Sequence, residues 1–311
     1  MKLTVSTAPH VHSHNSTRRI MLDVIIALLP AAGVGIYLFG YMAGLHVLIG
    51  MGAAVLVEYL WQKLTKQAVR VNDFSAALTG LLLALNMPVD APLWVTAMGS
   101  VVAIILVKQL FGGIGGNFLN PALAARALLV ASWPAHMTAF TAPTYFAATD
   151  AVSSATPLVT QYGYMELFMG RIPGTIGEVC KLAIIVGFLY LLIRGVITWH
   201  IPVLLLGTLA FCTWLFGGTD GAFTGDPLYA VLSGGAMFGA VFMATDYTTS
   251  PMTIKGEVIY AIGCGLLIAL IREFGSYTEG VTYAILIMNI VTPLLDKYIG
   301  PNLYGEVKKR A

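Results

Sequence analysis

The chain alternates between long apolar tracts and shorter polar connections, and this pattern predicts a bundle of membrane helices. A helix needs about 20 predominantly apolar residues to cross the hydrocarbon core of a bilayer. Some tracts are shorter than this and are expected either to extend into polar flanks or to form half-helices buried by their neighbours. Ten tracts are predicted, at residues 20–39, 41–61, 74–87, 93–107, 117–133, 180–193, 199–216, 228–245, 257–271 and 281–297.

The composition agrees with a lipid environment. Hydrophobic residues make up 58% of the 311 residues and charged residues only 10%, whereas a soluble domain carries about 25% charged residues. The net charge of +2 is too small to suggest a nucleic-acid partner. The cysteines lie in or at the edge of apolar tracts without CxxC spacing, so they predict small core residues rather than disulfides or cluster ligands. They are Cys180, Cys212 and Cys264.

The distribution of basic residues predicts the orientation in the membrane. If the ten tracts cross in turn, 13 of the 17 Lys and Arg residues fall on one side, which the positive-inside rule assigns to the cytoplasm. Both termini are then cytoplasmic and the long connection 134–179 lies on the outer face of the plasma membrane. Arg18 and Arg19 resemble a twin-arginine export signal, but paired cations before an uncleaved first span are favoured because nine more tracts follow.

The two halves of the chain resemble each other. The stretch NDFSAALTG (72–80) is similar to GDPLYAVLSG (225–234), and VVAIILVKQLFGG (101–113) is similar to GLLIALIREFGS (265–276). Because each half has five spans, an odd number, the second half must be inserted upside down. The expected fold is an all-α integral membrane protein of about ten transmembrane helices in two inverted five-helix repeats. Its predicted parts are residues 1–133, the external segment 134–179 and residues 180–311.

A glycine-rich break, GGIGGNFLNPALAAR (112–126), separates the fourth and fifth tracts. It lacks the GxGxxG pattern after a strand that a nucleotide-binding loop requires. We interpret it as a structural break in which Asn117 or Asn120 caps the next helix and Pro121 occupies its first turn. The backbone groups freed by the break make it a second-rank ligand site.

The segment DAVSSATPL (150–158) is polar and contains hydroxyl groups. On spacing alone, Thr156 followed by Pro157 predicts the start of a short amphipathic helix on the membrane surface. The segment also resembles the D-x-x-S/T-G/S-A-T signature of proteins that carry FMN on the threonine as a phosphoester. A helix N-terminus would hold the remaining phosphodiester charge, so the two interpretations are compatible. The residues that match the signature are Asp150, Ser153, Ser154, Ala155 and Thr156.

Taken together with STAPHVHSHNSTRRIMLDVIIALLPA at the start and GDPLYAVLSGGAMFGAVFMATDYTTSPMT (225–253), these motifs resemble the RnfD family. Its members are membrane subunits of Rnf-type ion-translocating ferredoxin:NAD oxidoreductases, and they are similar to the B subunit of the sodium-pumping NADH:quinone reductase. The resemblance implies covalent FMN on Thr156, attached by a flavin transferase, and a non-covalent riboflavin. It also implies partner subunits A, B, C, E and G, which would hold the ferredoxin, NAD and cluster sites. The rival interpretation is a flavin-free channel or secondary transporter, which leaves the FMN signature unexplained.

The chain is not expected to be catalytic without its partner subunits, and no catalytic residue is predicted in it. Intramembrane carboxylates are candidates for an ion path. Asp246 is the first choice because Thr245, Thr248 and Thr249 offer oxygen ligands suited to a hard cation. Asp23 and Glu58 follow, and a helix-end or structural contact is an equally good interpretation of each. The alternating histidines of the HVHSH tail predict a partner-contacting segment rather than a metal site. These are His10, His12 and His14.

Overall fold

The computed structural model describes residues 16–143, 158, 161–217, 223–275 and 280–299. The FMN signature Asp150–Thr156 and the histidine tail therefore lie outside the described residues. Within the described part the regular secondary structure is helical, as the apolar pattern predicts.

The described residues of the first half, 16–133, form five α-helices. The fourth continues without a break into a π-helical stretch, Ala103–Gln109, and a short 3₁₀ turn, Val71–Asp73, precedes the third. The five are α1 (Thr17–Phe39), α2 (Tyr41–Leu64), α3 (Ser75–Leu85), α4 (Leu93–Val102) and α5 (Pro121–Ser132). Two short helices lie between the halves, α6 (Pro134–Met137) and α7 (Tyr164–Met169).

The second half begins with a short helix and contains the most fragmented element. The predicted tract 228–245 is divided into α10, α11 and a π-helical stretch, Gly239–Met243, because Gly234 adopts a φ of 59° that ends the first piece. The helices of this half are α8 (Lys181–Ile193), α9 (His200–Phe216), α10 (Pro227–Leu232), α11 (Ala236–Phe238), α12 (Ile254–Phe274) and α13 (Val281–Ile299).

The ten predicted tracts all coincide with helical segments, but their lengths differ. Among the described residues, α1, α2 and α12 are long and apolar enough to cross a membrane by length and composition. Helix α3 has only 11 residues, and every one of them is buried, as expected for a half-helix surrounded by neighbours. The carbonyl of its last residue is satisfied by a segment distant in sequence, since Gly177 N donates to Leu85 O at 2.7 Å, and just beyond the helix Ile176 N donates to Met87 O at 3.1 Å.

Helices α2 and α3 make the closest contact of the first half, through Gly50 and Gly80. A Cβ added to Gly80 would collide with the Gly50 carbonyl oxygen, and one added to Gly50 would lie 2.7 Å from the Gly80 carbonyl oxygen. The halves also contact each other directly, because α1 packs against α8 and α5 against α13.

Two local predictions are confirmed. Asn120 is the N-cap of α5, since its side chain accepts hydrogen bonds from Ala122 N (3.1 Å) and Leu123 N (3.2 Å), and Pro121 is the first helical residue. The three cysteines are buried and free. The surface helix predicted from Pro157 onward is shorter in the structure, because residues 161–163 are not helical and α7 starts at Tyr164 after a Gly163 N-cap. The predicted first residue, Pro157, lies outside the described residues.

Candidate functional site

A large cavity lies beside α10 and the end of α12, and we call it the tyrosine cavity after Tyr162, Tyr164 and Tyr229 on its wall. Its volume is about 580 Å³, which is within the range of small-molecule sites. Leu158 also lines it, and this residue follows Thr156 of the FMN signature by two positions in the sequence.

The start of α10 fixes one wall of the tyrosine cavity. Asp226 caps the helix by accepting a hydrogen bond from Tyr229 N at 3.0 Å, and Pro227 occupies the first turn. The same carboxylate accepts a short hydrogen bond from the Tyr164 hydroxyl. This bond raises the pKa of Tyr164 and keeps its phenol protonated. The cap therefore ties α7 to α10 across the cavity.

Arg272 brings a permanent positive charge to the same cavity from the last turn of α12. Its guanidinium donates to the carbonyl oxygens of Ala230 (2.7 Å) and Ser233 (3.2 Å) at the end of α10. Because these carbonyls form the negative end of a helix, they orient the cation. Glu273, which follows Arg272, also lines the cavity.

A second, narrower cavity of about 80 Å³ lies where α1, α3 and the start of α5 face the end of the π-helical stretch Gly239–Met243. We call it the aspartate cavity after Asp246. Polar side chains from both halves of the chain line it, including Ser75, Thr79, Lys108, Asn117, Asn120 and Thr248. Both asparagines belong to the glycine-rich break, the segment that the sequence analysis names as a second-rank candidate for a ligand site.

Asp246 is held by hydroxyl and amide donors rather than by a cation within the described part of the chain. Its carboxylate accepts from the hydroxyls of Thr248 (3.0 Å) and Thr249 (3.4 Å), and Asn117 Nδ2 donates to the Thr248 hydroxyl at 3.1 Å. Two of the three hydroxyls named in the sequence prediction, those of Thr248 and Thr249, therefore lie beside the carboxylate. Thr245 departs from the prediction, because its hydroxyl donates to Val241 O at 2.6 Å within its own helix turn.

Glu58, a second candidate for the ion path, is paired with a cation. It is buried on α2, and Lys108 Nζ lies 2.8 Å from Glu58 Oε1. Gln109 Nε2 donates to the same oxygen at 2.6 Å, and Lys108 also donates to the Ser75 hydroxyl at 2.6 Å. The pair links α2, α3 and the π-helical end of α4.

Asp23, the third candidate, is also paired. Arg194 at the end of α8 donates to both carboxylate oxygens, with Nη2 3.0 Å from Oδ2 and 3.2 Å from Oδ1. The Tyr190 hydroxyl adds a hydrogen bond at 3.1 Å. This bidentate contact joins α1 to α8, so Asp23 has the structural partner that the alternative interpretation anticipates.

Besides Lys108, three further buried charged residues were not predicted as site residues. Arg126 donates to the Asn86 side chain at 3.1 Å beside the end of α3. Glu178 and Lys181 are buried immediately before and within the first turn of α8. The sequence signal was the pair of opposite charges in GEVCK (177–181) at the start of an apolar tract, since charges within a membrane are costly and usually functional.

Comparison of the sequence with known proteins identifies the family of the chain. The family model described as "NQR2, RnfD, RnfE family" matches residues 4–305. The D subunit of the Na+-translocating ferredoxin:NAD+ oxidoreductase complex of Acetobacterium woodii is 47% identical over 100% of this chain and 98% of its own length. The D subunit of the proton-translocating complex of Clostridium ljungdahlii is 43% identical over 97% and 96%.

A more distant relative covers the chain equally well. The D subunit of the ion-translocating oxidoreductase complex of Salmonella paratyphi A is 35% identical over 99% of this chain and 100% of its own length. The resemblance seen in the motifs therefore extends from one end of the sequence to the other. The chain belongs to the NQR2, RnfD, RnfE family.

Proposed function

We propose that this chain is a flavin-carrying membrane subunit of an ion-translocating ferredoxin:NAD oxidoreductase. It would carry FMN as a phosphoester on Thr156, pass electrons through that flavin and couple their transfer to Na+ or H+ translocation. The observation that carries the proposal is the tyrosine cavity, because Leu158 on its wall follows the signature threonine by only two residues. The relatives named above support the class of complex.

The residues of the tyrosine cavity fit a covalently tethered flavin. A flavin ring is planar and aromatic, and Tyr164 and Tyr229 lie edge to face with centroids 6.4 Å apart on the cavity wall. The phosphodiester carries one negative charge, and Arg272 supplies the complementary cation. When bound, the flavin supplies one-electron and two-electron redox chemistry.

The protein's own groups would hold and orient such a ligand. The carbonyls of α10 fix the Arg272 guanidinium, and Asp226 fixes Tyr164. Both contacts leave the cavity with a preformed polar wall, which lowers the entropy lost on binding.

We also propose that the chain has ten membrane spans in two inverted repeats, residues 1–133 and 180–311, joined by the external segment 134–179. The packing supports it. If the repeats are related by a two-fold axis, the first helix of one corresponds to the first helix of the other, and helices near the axis contact their counterparts. The first helices, α1 and α8, pack together, and so do the fifth, α5 and α13. Within the repeats, the second and fourth helices also pack together in both, as α2 on α4 and α9 on α12. With cytoplasmic termini, the tyrosine cavity faces the outer side and the aspartate cavity the cytoplasm.

Asp246 is the preferred residue for the ion path. Asp23 and Glu58 are each neutralised by a basic side chain, whereas the Asp246 carboxylate is held by hydroxyls on a cavity wall. Oxygen donors of this kind suit a hard cation. A non-covalent riboflavin, the second flavin that the family resemblance implies, is also part of the proposal.

The partners proposed are subunits A, B, C, E and G of the same complex, the surrounding lipid and, during maturation, the flavin transferase. The relatives are named as subunits of multi-subunit complexes. Because this chain shows no recognisable ferredoxin or NAD motif, the electron donor and acceptor would bind to those other subunits.

The test is the attachment of flavin to Thr156. The variant Thr156→Val should lose in-gel flavin fluorescence after denaturation while it still inserts into the membrane, because valine keeps the shape but removes the hydroxyl that forms the ester. Thr160→Val is the matched control and should keep its fluorescence. Mass spectrometry of the 150–170 peptide locates the adduct. An unmodified peptide in the wild-type protein would instead favour the flavin-free channel or transporter.

A further inference from the structure

Three helix ends meet at one buried point beside the tyrosine cavity. Helix α3 ends at Leu85, α8 begins at Lys181 and α10 ends just before Gly234. The non-helical segment 172–180, which turns at 176–178, joins them, and its Gly177 N donates to Leu85 O at 2.7 Å. We call this place the helix-end junction. Membrane transport proteins place ion sites where broken helices meet.

A carboxylate and a hydroxyl lie together in the helix-end junction. Glu178 is 3% exposed and Thr175 is 0% exposed. The backbone N–H of Thr175 donates to Glu178 Oε1 at 3.0 Å. The Thr175 hydroxyl has no hydrogen-bond partner among the described residues. A fully buried hydroxyl in that state is unusual and indicates a bound group that it contacts.

Two glycines form a cradle around the Glu178 carboxylate. A Cβ on Gly174 would lie 2.8 Å from Oε1, and a Cβ on Gly235 would lie 2.8 Å from Oε2. Any larger residue at either position would displace the carboxylate. The backbone thus approaches both oxygens closely and leaves them in a defined place.

Lys181 sets the charge balance of the junction. It is fully buried, and its Nζ donates to the carbonyl oxygens of Glu178 (2.5 Å) and Gly234 (3.0 Å). The charges of a protonated Lys181 and an ionised Glu178 cancel. A further cation would add an unbalanced positive charge in a medium of low dielectric constant, which is unfavourable.

A negative charge in the tyrosine cavity would remove that penalty. The two places adjoin at Gly234, where a Cβ would lie 3.2 Å from Leu158 and 3.3 Å from Arg272 Nη2. Both of these residues line the tyrosine cavity. The electrostatic energy of a cation at Glu178 therefore depends on the charge of whatever occupies that cavity.

We propose that Glu178 and Thr175 bind one monovalent hard cation, Na+ or a proton, when the occupant of the tyrosine cavity gains one electron. The inference rests on the proposed flavin. The electron comes from ferredoxin through the partner subunits and adds one negative charge. The cation adds one positive charge. Na+ is held by the oxygens alone, whereas a proton forms an O–H bond on the Glu178 carboxylate.

The test uses the assembled complex and measures the midpoint potential of the covalent flavin against Na+ concentration and against pH. If one cation binds per electron, a tenfold rise in the coupling cation raises the potential by about 59 mV. Thr175→Val removes one oxygen ligand, so this dependence should begin at about tenfold higher cation concentration. Thr138→Val, at an exposed threonine whose hydroxyl donates to Pro134 O, should match the wild type.

Glu178→Gln is the second variant and should abolish the dependence, with Asp90→Asn at an exposed carboxylate as its control. A response to Na+ that Glu178→Gln removes identifies a sodium site, and a response to pH alone that Glu178→Gln removes identifies a proton site. A wild-type response in both Thr175→Val and Glu178→Gln overturns the inference, as does a potential independent of both ions. If Glu178→Gln prevents assembly, Thr175→Val alone decides. Absence of covalent flavin from the wild type would refute the proposed function instead.

Discussion

At the scale of single residues, the sequence identifies the charged groups but not their partners. Asp23, Glu58 and Asp246 are equally conspicuous as carboxylates in apolar tracts. Their environments differ because of residues far away in the chain: Arg194 neutralises Asp23 and Lys108 neutralises Glu58. These pairings depend on how helices pack, which no local pattern specifies. The structure thereby separates one candidate for ion transfer from two ion pairs that join helices.

The separation predicts different consequences for two similar substitutions. In the purified complex in vesicles, Asp246→Asn should reduce ion uptake per electron several-fold while electron transfer persists in part, because the carboxylate proposed to receive the ion is lost. Asp23→Asn should lower thermal stability but leave the ratio of ions to electrons unchanged, since it leaves Arg194 without its partner. Uptake and electron transfer are measured on the same vesicles. An unchanged ratio in Asp246→Asn removes this residue from the ion path.

At the scale of helices, local chemistry predicts where an element begins better than where it stops. The Asn120–Pro121 pair predicts the start of α5 correctly because capping is a local interaction. The division of tract 228–245 into pieces was not predicted, although Gly234 and Gly235 were visible. The end of α3 is matched by a distant contact that no local pattern predicts, since Gly177, about 90 residues away, satisfies the carbonyl of its last residue, Leu85.

The contact between α2 and α3 predicts a position-specific effect of adding a side chain. Gly80→Val should destabilise the protein by about 1–3 kcal/mol, because the new side chain would collide with the Gly50 carbonyl and separate the helices. Gly52→Ala is the control on α2, where a Cβ meets no atom within 4 Å. It should be neutral or stabilising by up to about 1 kcal/mol. Thermal unfolding of the detergent-solubilised protein measures both. Equal effects of the two substitutions would show that the close approach is unimportant.

At the scale of the whole molecule, the repeat relates features that the sequence shows only as weak similarity. Lys108 and Arg272 occupy matching places in the repeated stretches 101–113 and 265–276. Each side chain donates a hydrogen bond to the short helix of its own half. Lys108 donates to the Ser75 hydroxyl at the start of α3, and Arg272 donates to the Ala230 carbonyl oxygen of α10. One of these cations lines the aspartate cavity and the other the tyrosine cavity. The inverted arrangement would thus place similar basic sites on opposite faces of the membrane.

That arrangement makes a prediction about orientation. Single cysteines at Ser132 and Thr149, in a background without Cys180, Cys212 and Cys264, should react with an impermeant thiol reagent added outside intact cells. Ser132 is exposed at the end of α5 and Gln67 is exposed after α2, so accessibility of the side chain does not limit either reaction. A cysteine at Gln67 should react only after lysis, because the positive-inside rule assigns the Lys63–Arg70 connection to the cytoplasm. The reverse pattern would exchange the faces of the two cavities and place the signature threonine on the cytoplasmic side.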